Sequence, residues 1–298
     1  MPSSDLPGFA SQVNAFLSPG PSPAQQRHLL QRSRGRVRIG LGSDESRATR
    51  LASLFQEGCL KVRLPRPARQ GEVDAVLINT AGGLTGGDVL SVEIDLDEGA
   101  QATVTTPACE RVYRSIGGDA CVHHGLRVGR RARLDWIPQE TILYDRSRLR
   151  RRFDVRLADD AEVTLAEALL FGRTAAGESV RSGLLRDTWT VQRDGRLLFA
   201  DATRVSDPFG DAIACPTALA GCVAIASIVH VGSELEARRD ALRDTMARFD
   251  ATAAGASVAD GVLVVRMVAP DSRALRATLA AALACLREQR PLPRNWLC

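Results

Sequence analysis

From Glu72 to Arg204 the chain repeats one pattern: a short run alternating apolar with polar residues, a turn, and another run. Glu72–Ile78, Val89–Leu96, Ala102–Thr106, Cys121–Val128, Ala132–Ile137, Thr141–Asp145, Arg152–Leu157, Glu162–Phe171, Leu184–Gln192 and Arg196–Arg204 read this way. A period of two sends successive side chains to opposite faces, so each run is a strand with one face toward a core. Turn residues punctuate the runs: Gly117-Gly118-Asp119, Asp159-Asp160 and Asp194-Gly195, the last matching a two-residue hairpin loop. With no helical spacing in between, this stretch predicts a mainly β fold, either an antiparallel two-sheet arrangement or a coiled all-β scaffold. Hydrophobic residues make up 45% of the chain and aromatics 4%, so small aliphatic side chains must fill the core.

The flanks differ. Residues 1–35 are expected to form a disordered extension, the first 26 being rich in Ser, Pro, Gln and Gly. Residues 36–298 are expected to form a single domain. Arg36–Ile39 and Cys59–Leu64 alternate; between them Glu45–Phe55 reads as an irregular stretch or one or two helical turns. After about residue 205 comes the small-residue stretch Ala212–Ser227, then a strand at Ile225–Val231. Leu235, Leu242, Met246 and Phe249 give Glu234–Phe249 helical spacing. A strand at Val262–Val268 precedes a second helix, capped by Asp271 or Ser272 and stopped near Arg290 by Pro291 and Pro293. Two helices near the C-terminus, in a helix–strand–helix segment at about 232–290, are therefore expected. With the apolar stretch 212–231, these amphipathic helices are a candidate partner-binding surface. No internal repeat of fixed period is found.

The densest local signal is NTAGGLTGGD, residues 79–88. Gly82-x4-Gly87 matches half of a phosphate-binding loop, but Asp88 stands where that loop needs a lysine, and the only lysine is Lys61. A strand follows rather than a helix, which also excludes a dinucleotide fingerprint. No G-x-S-x-G or H-E-x-x-H occurs, and no catalytic residue is assigned. A net charge of +4, with no basic stripe carrying interleaved aromatics, does not point to nucleic acid. Seven scattered cysteines without CxxC, no secretory signal and no apolar run near ~18–20 residues point to a reduced cytoplasmic protein without a membrane span.

NTAGGLTGGD (79–88), TTPACERVYRS (105–115), LDWIPQETILYD (134–145) and ESVRSGLLRD (178–187), in that order, closely resemble the UreD (also called UreH) urease accessory proteins. The resemblance is strong from about Lys61 to Asp187 and weaker on to PRNWLC. It implies a non-enzymatic scaffold that binds apo-urease, joins UreF and, through it, the GTPase UreG, and takes part in moving nickel to urease. It implies no tightly bound cofactor, only transient nickel(II). Asn79, Thr80, Gly82, Gly83, Gly86, Gly87, Arg114 and Gln139 carry over as motif residues that shape the structure.

Candidate metal-path residues are Asp88, Glu140, Asp145 and Glu178, each an acid inside an apolar or glycine-rich motif. Carboxylates are rarely buried unless paired or bound to a cation. Either they pair with Arg111, Arg114, Arg181 or Arg186, or they line a solvated route along which nickel steps. Asp88 is expected to be functional rather than needed for folding. Cys109, Cys121, His123 and His124 form a second, weaker candidate: Cys121 and His123 share one strand face while His124 points to the other. The rival readings are a generic all-β interaction module and a hydrolase using Glu140 and Asp145.

Overall fold

A computed structural model describes residues 31–173, 177–288 and 290–296; most of the expected N-terminal extension, with His28, and also Cys298 lie outside them. The strands are β1 (Arg34–Ser43), β2 (Thr49–Gly58), β3 (Leu60–Arg63), β4 (Val73–Asn79), β5 (Val89–Leu96), β6 (Gln101–Thr105), β7 (Glu110–Val112), β8 (Ala120–Val128), β9 (Arg133–Trp136), β10 (Thr141–Leu143), β11 (Arg148–Leu157), β12 (Glu162–Phe171), β13 (Leu184–Arg193), β14 (Arg196–Ser206), β15 (Ala224–Val231), β16 (Ala253–Ala259) and β17 (Val262–Ala269). The helices are α1 (Phe209–Ala214), α2 (Leu235–Met246) and α3 (Ser272–Arg287).

These strands make two sheets. One runs β14-β13-β11-β8-β5-β1-β2; the other runs β16-β17-β15-β12-β9-β6-β4-β3, with β7 and β10 attached beside β12. From β4 to β13, the short strands β7 and β10 aside, the chain alternates between the sheets, so the neighbours within each sheet come from successive coils. The interior ladders β5–β8–β11–β13 and β4–β6–β9–β12 are therefore parallel throughout. Of the two expected arrangements, the coiled one is realised. Antiparallel pairing is found at the flanks, in β1–β2, β3–β4, β13–β14 and β12–β15–β17–β16. A parallel pair needs a crossover, and here the strand in the opposite sheet supplies it. The coils differ in length (Val89 faces Cys121, which faces Arg150, which faces Arg186), which hides the repeat from a search at fixed period.

Alternating residues of both sheets meet in one core, with Val92, Ile94, Leu126, Phe153 and Val155 from one side and Ala102, Leu134, Val163 and Leu165 from the other. The Asp194-Gly195 hairpin forms as expected, both residues having positive φ. The stretch 45–55 departs from expectation: it belongs largely to β2, an edge strand with Leu51, Leu54 and Phe55 exposed. Neither face of β2 is well covered, so its sequence shows no alternation to read.

Both C-terminal helices are present, α2 and α3, each ending about three residues before its expected limit. Asp271 caps α3, its side chain accepting the Ala274 N–H at 2.8 Å. The Ala/Gly/Ser-rich strand β16 was not legible beforehand, because an exposed edge strand of small residues carries no apolar period. Leu235, Leu242 and Met246 of α2 and Leu275, Leu279 and Leu283 of α3 pack with Ala226, Ile228 and Val265 of the sheet. The apolar faces of both helices and the inward residues of Ala224–Val231 are thus covered within the chain, whereas residues 212–223 of the expected surface are exposed or half-buried.

Candidate functional site

The motif residues gather at one end of the coil, where successive loops stack as rungs. In the glycine loop, Gly83 has φ +147°, and a Cβ there would lie 2.8 Å from the Arg111 carbonyl oxygen. At Gly86 a Cβ would lie 2.5 Å from the Gly118 carbonyl oxygen, so these backbones need glycine to approach. Asp88 is buried and ties the loop together: its carboxylate accepts the N–H of Ser33 and that of Thr85, each at 2.8 Å. Asn79 accepts the Ala81 N–H and donates to Glu110, Thr80 donates to the Cys59 carbonyl, and the Arg114 carbonyl accepts the Thr85 hydroxyl.

Each of the other candidate carboxylates has its own local partner. Glu140 is buried and pairs at 3.0 Å with Arg276 of α3, which also donates to Gln139 and packs over Trp296. The Cys109 thiol donates to Glu140, and burial with the neighbouring carboxylate pushes that thiol up to about 11. Asp145 accepts the N–H groups of Arg181 and Ser182; burial opposes its charge, but these bonds hold its carboxyl below the usual range. Glu178 pairs with Arg173 at 2.8 Å and faces the Asp145 N–H. The four expected arginines are not the side-chain partners; Arg181 contributes only its backbone. The Glu140–Arg276 pair joins residues 136 positions apart, which motif spacing cannot show.

His123 and His124 take opposite faces, as expected. His123 meets Asp154 at 3.0 Å, while His124 packs between Trp136 and Phe153, where burial holds its pKa well below normal. Among the described residues, no three His, Cys, Asp or Glu side chains come together as a metal site.

Between the sheets lies a cavity of about 80 Å³. Its walls are apolar, with Leu77, Leu84, Leu90, Val92, Val122 and Leu149, but Asn79, Thr106, Glu110, His124, Gln139, Arg151 and Glu167 also face it. Asp88, Glu140, Asp145 and Glu178 do not line it. Its charged wall belongs to a buried cluster in which Arg151 donates to Glu167 and to Asp187, the latter at 2.6 Å, while the Trp136 indole N–H donates to Glu167 at 2.9 Å. Burial pushes Glu167 up to about 7, only partly offset by an Arg151 that also serves Asp187. Burial likewise raises Glu110 against the hydrogen bond from Asn79. Sequence reasoning named neither residue. Glu167 had a readable signal, an acid in the middle of the apolar strand EVTLAEALLF.

The family model for the UreD urease accessory protein matches residues 33–297. The chain belongs to the UreD family. It is 44% identical to the urease accessory protein UreD of Methylobacterium sp. (strain 4-46), over 94% of this chain and 99% of that one. It is 45% identical to that of Xanthobacter autotrophicus, over 93% and 94%, and 42% identical to that of Rhizobium leguminosarum bv. viciae, over 89% and 96%. UreD proteins are maturation factors rather than enzymes, which removes the hydrolase reading of Glu140 and Asp145. No helix among the described residues of this UreD chain is long and apolar enough to cross a membrane.

Proposed function

We propose that this chain is the cytoplasmic adaptor that joins apo-urease to UreF and, through it, UreG, and that nickel(II) travels as cargo through its interior. The observation that carries the second half is a cavity between two sheets that holds carboxylates and has room for several waters. An apolar cavity of that size stays dry, whereas Glu110, Glu167, Asn79 and Gln139 give water and a hydrated cation oxygen partners. Glu110 and Glu167 are the stepping groups in this reading. Among the described residues, neither belongs to a group of three His, Cys, Asp or Glu that would trap a divalent ion, which suits a carrier. Of the four carboxylates expected on the path, Glu140 is kept as a flanking residue, because Gln139 and Thr141 on either side of it line the cavity. Asp88, Asp145 and Glu178 shape the loops in this reading.

The test is urease maturation in cells lacking their own UreD, supplied with this chain, UreF, UreG and the urease subunits. Glu110→Gln keeps the volume and the Asn79 contact while removing the charge. Bound nickel and urease activity should fall while melting and co-purification with UreF stay normal. Normal nickel loading by both Glu110→Gln and Glu167→Gln would remove the interior route.

A further inference from the structure

The free edge of β2 is unlike the other sheet edges. β3 has only 4 residues, the edge strand β14 carries Arg196, Asp201 and Arg204, and β16 is built of Ala, Gly, Ser and Val. β2 has 10 residues, and its stretch Leu51–Gln56, LASLFQ, holds no charge, proline or glycine. β1 is its one neighbour in the sheet, and among the described residues no backbone group from Arg50 to Gly58 forms a hydrogen bond outside that pairing. Six large hydrophobic side chains are exposed among the described residues; Leu51, Leu54 and Phe55 lie on β2, and Leu64 lines the same groove as Leu51. A long, uncharged, apolar edge is a template for pairing with another chain.

The register of β2 shows what fits that edge. Residues opposite each other across a ladder share a face. Leu51 and Leu54 stand opposite the buried Leu41 and Ile39 and point to the core side, while Ser53 and Phe55 stand opposite Gly40 and Arg38 and point outward. Ala52 is the extra residue of a bulge and has no partner on β1. In a regular strand Leu51 and Leu54 would fall on opposite faces; the bulge brings them to one. It also makes the strand match itself. In an antiparallel pair of copies, with a two-fold axis between Ala52 and Ser53, Leu51 of each copy lies opposite Leu54 of the other, both on the core side. Arg50, opposite Gly42 and on the outer side, then lies opposite Phe55, its stem over the ring and its head still with Asp44 at 2.9 Å. No like charges meet. Both ends of the match are already tied down: Thr49 N–H donates to the Gly71 carbonyl, and the Gln56 side chain accepts the Val62 N–H.

We infer that the β2 edge is a docking site for a second copy of this chain, which joins two 7-stranded sheets edge to edge across a two-fold axis. The experiment measures the mass of the full chain by sedimentation over a range of concentrations, for wild type, Leu51→Lys and Leu54→Glu. Wild type should pass from monomer to dimer as the concentration rises. Each variant changes an exposed side chain, so melting should be unchanged, while dimerisation should weaken about tenfold or more. Mixed in equal amounts, the two variants should dimerise again. The inferred register sets opposite charges against each other at one Leu51/Leu54 contact and leaves the other apolar, whereas non-specific apolar association would show no such recovery. If either charge lowers melting, Leu51→Thr/Leu54→Thr decides the matter by the same loss of dimer. A wild type that stays monomeric, variants that dimerise as wild type does, or a mixture that fails to recover would each overturn the inference. A monomeric wild type that binds UreF, with that affinity lost in Leu54→Glu, would overturn it in favour of a partner protein at this edge and leave the adaptor reading in place.

Discussion

Two buried ion clusters, the outer one completed by a half-buried Arg290, occupy opposite faces of the same sheet, and they are used differently. Inside, Arg151 of one sheet reaches Glu167 of the other and Asp187 beside it, and the cluster borders the cavity. Outside, Asp135 lies in a polar row that crosses five strands, Asp74–Thr103–Asp135–Thr164–His230, and receives both Arg287 of α3 and Arg290, the latter at 2.6 Å. The outer cluster fastens the last helix to the sheet, with Arg287 also donating to the Pro291 carbonyl. One carboxylate held by two arginines is a lock. One arginine shared by two carboxylates, one of them only weakly acidic, leaves a proton or cation something to do. Buried ion pairs are therefore not one kind of feature, and the ratio of charges and the presence of a cavity separate a fastening from a working group.

The largest test of that contrast is Asp135→Ala. It strands Arg287 in a site where neither partner is exposed, and should cost about 3–5 kcal/mol, measured by chemical denaturation, with α3 becoming sensitive to proteolysis. Replacing the pair together, Asp135→Leu with Arg287→Met, should recover most of that loss if the cluster only fastens.

Glu167→Gln should cost less, about 2–3 kcal/mol, because Arg151 keeps Asp187 and the amide still accepts from Trp136. Its pH dependence carries the sharper information. The folded protein holds the Glu167 proton up to about 7 and the unfolded chain releases it near 4.5, so Glu167 contributes less stability as pH rises through that window. The gap between wild type and Glu167→Gln should accordingly narrow from pH 5 to pH 8. A widening gap would make the inner cluster a fastening like the outer one.

On the outer row, burial lowers His230 to about 4 from an ordinary 6.5, and its Nδ1 meets Thr164 at 3.0 Å. Its folded-state pKa is depressed, so the stability of the neutral form is full above about 6.5 and is lost as pH falls toward 4. Between pH 7 and pH 5 this amounts to roughly 2 kcal/mol, to be read as the difference in pH slope between wild type and His230→Gln. The smallest stability effect belongs to Glu110→Gln, below about 1 kcal/mol, since Glu110 has a hydrogen bond from Asn79 rather than an arginine partner. There the expected change lies in nickel loading and not in the melting curve, which sets the cavity side apart from the helix side.

The sequence by itself determined the alphabet of this fold. Period two placed the strands, Asp194-Gly195 made its hairpin, Asp271 capped its helix and four ordered motifs led to the UreD family. These signals are local, because a turn, a cap or an alternating face is decided by residues within a few positions of one another. The tertiary structure decided what spacing cannot carry. Hairpins and coils use the same alternating strands and short turns, so only the pairing of β5 with β8 and β4 with β6 revealed a parallel coil. Arg276 reaches Glu140 across 136 positions and Arg287 reaches Asp135 across 152, distances over which no motif operates. The candidate acids thus found partners that the sequence had not offered, and Glu110 and Glu167 came to face a cavity that exists only once two sheets have closed around it.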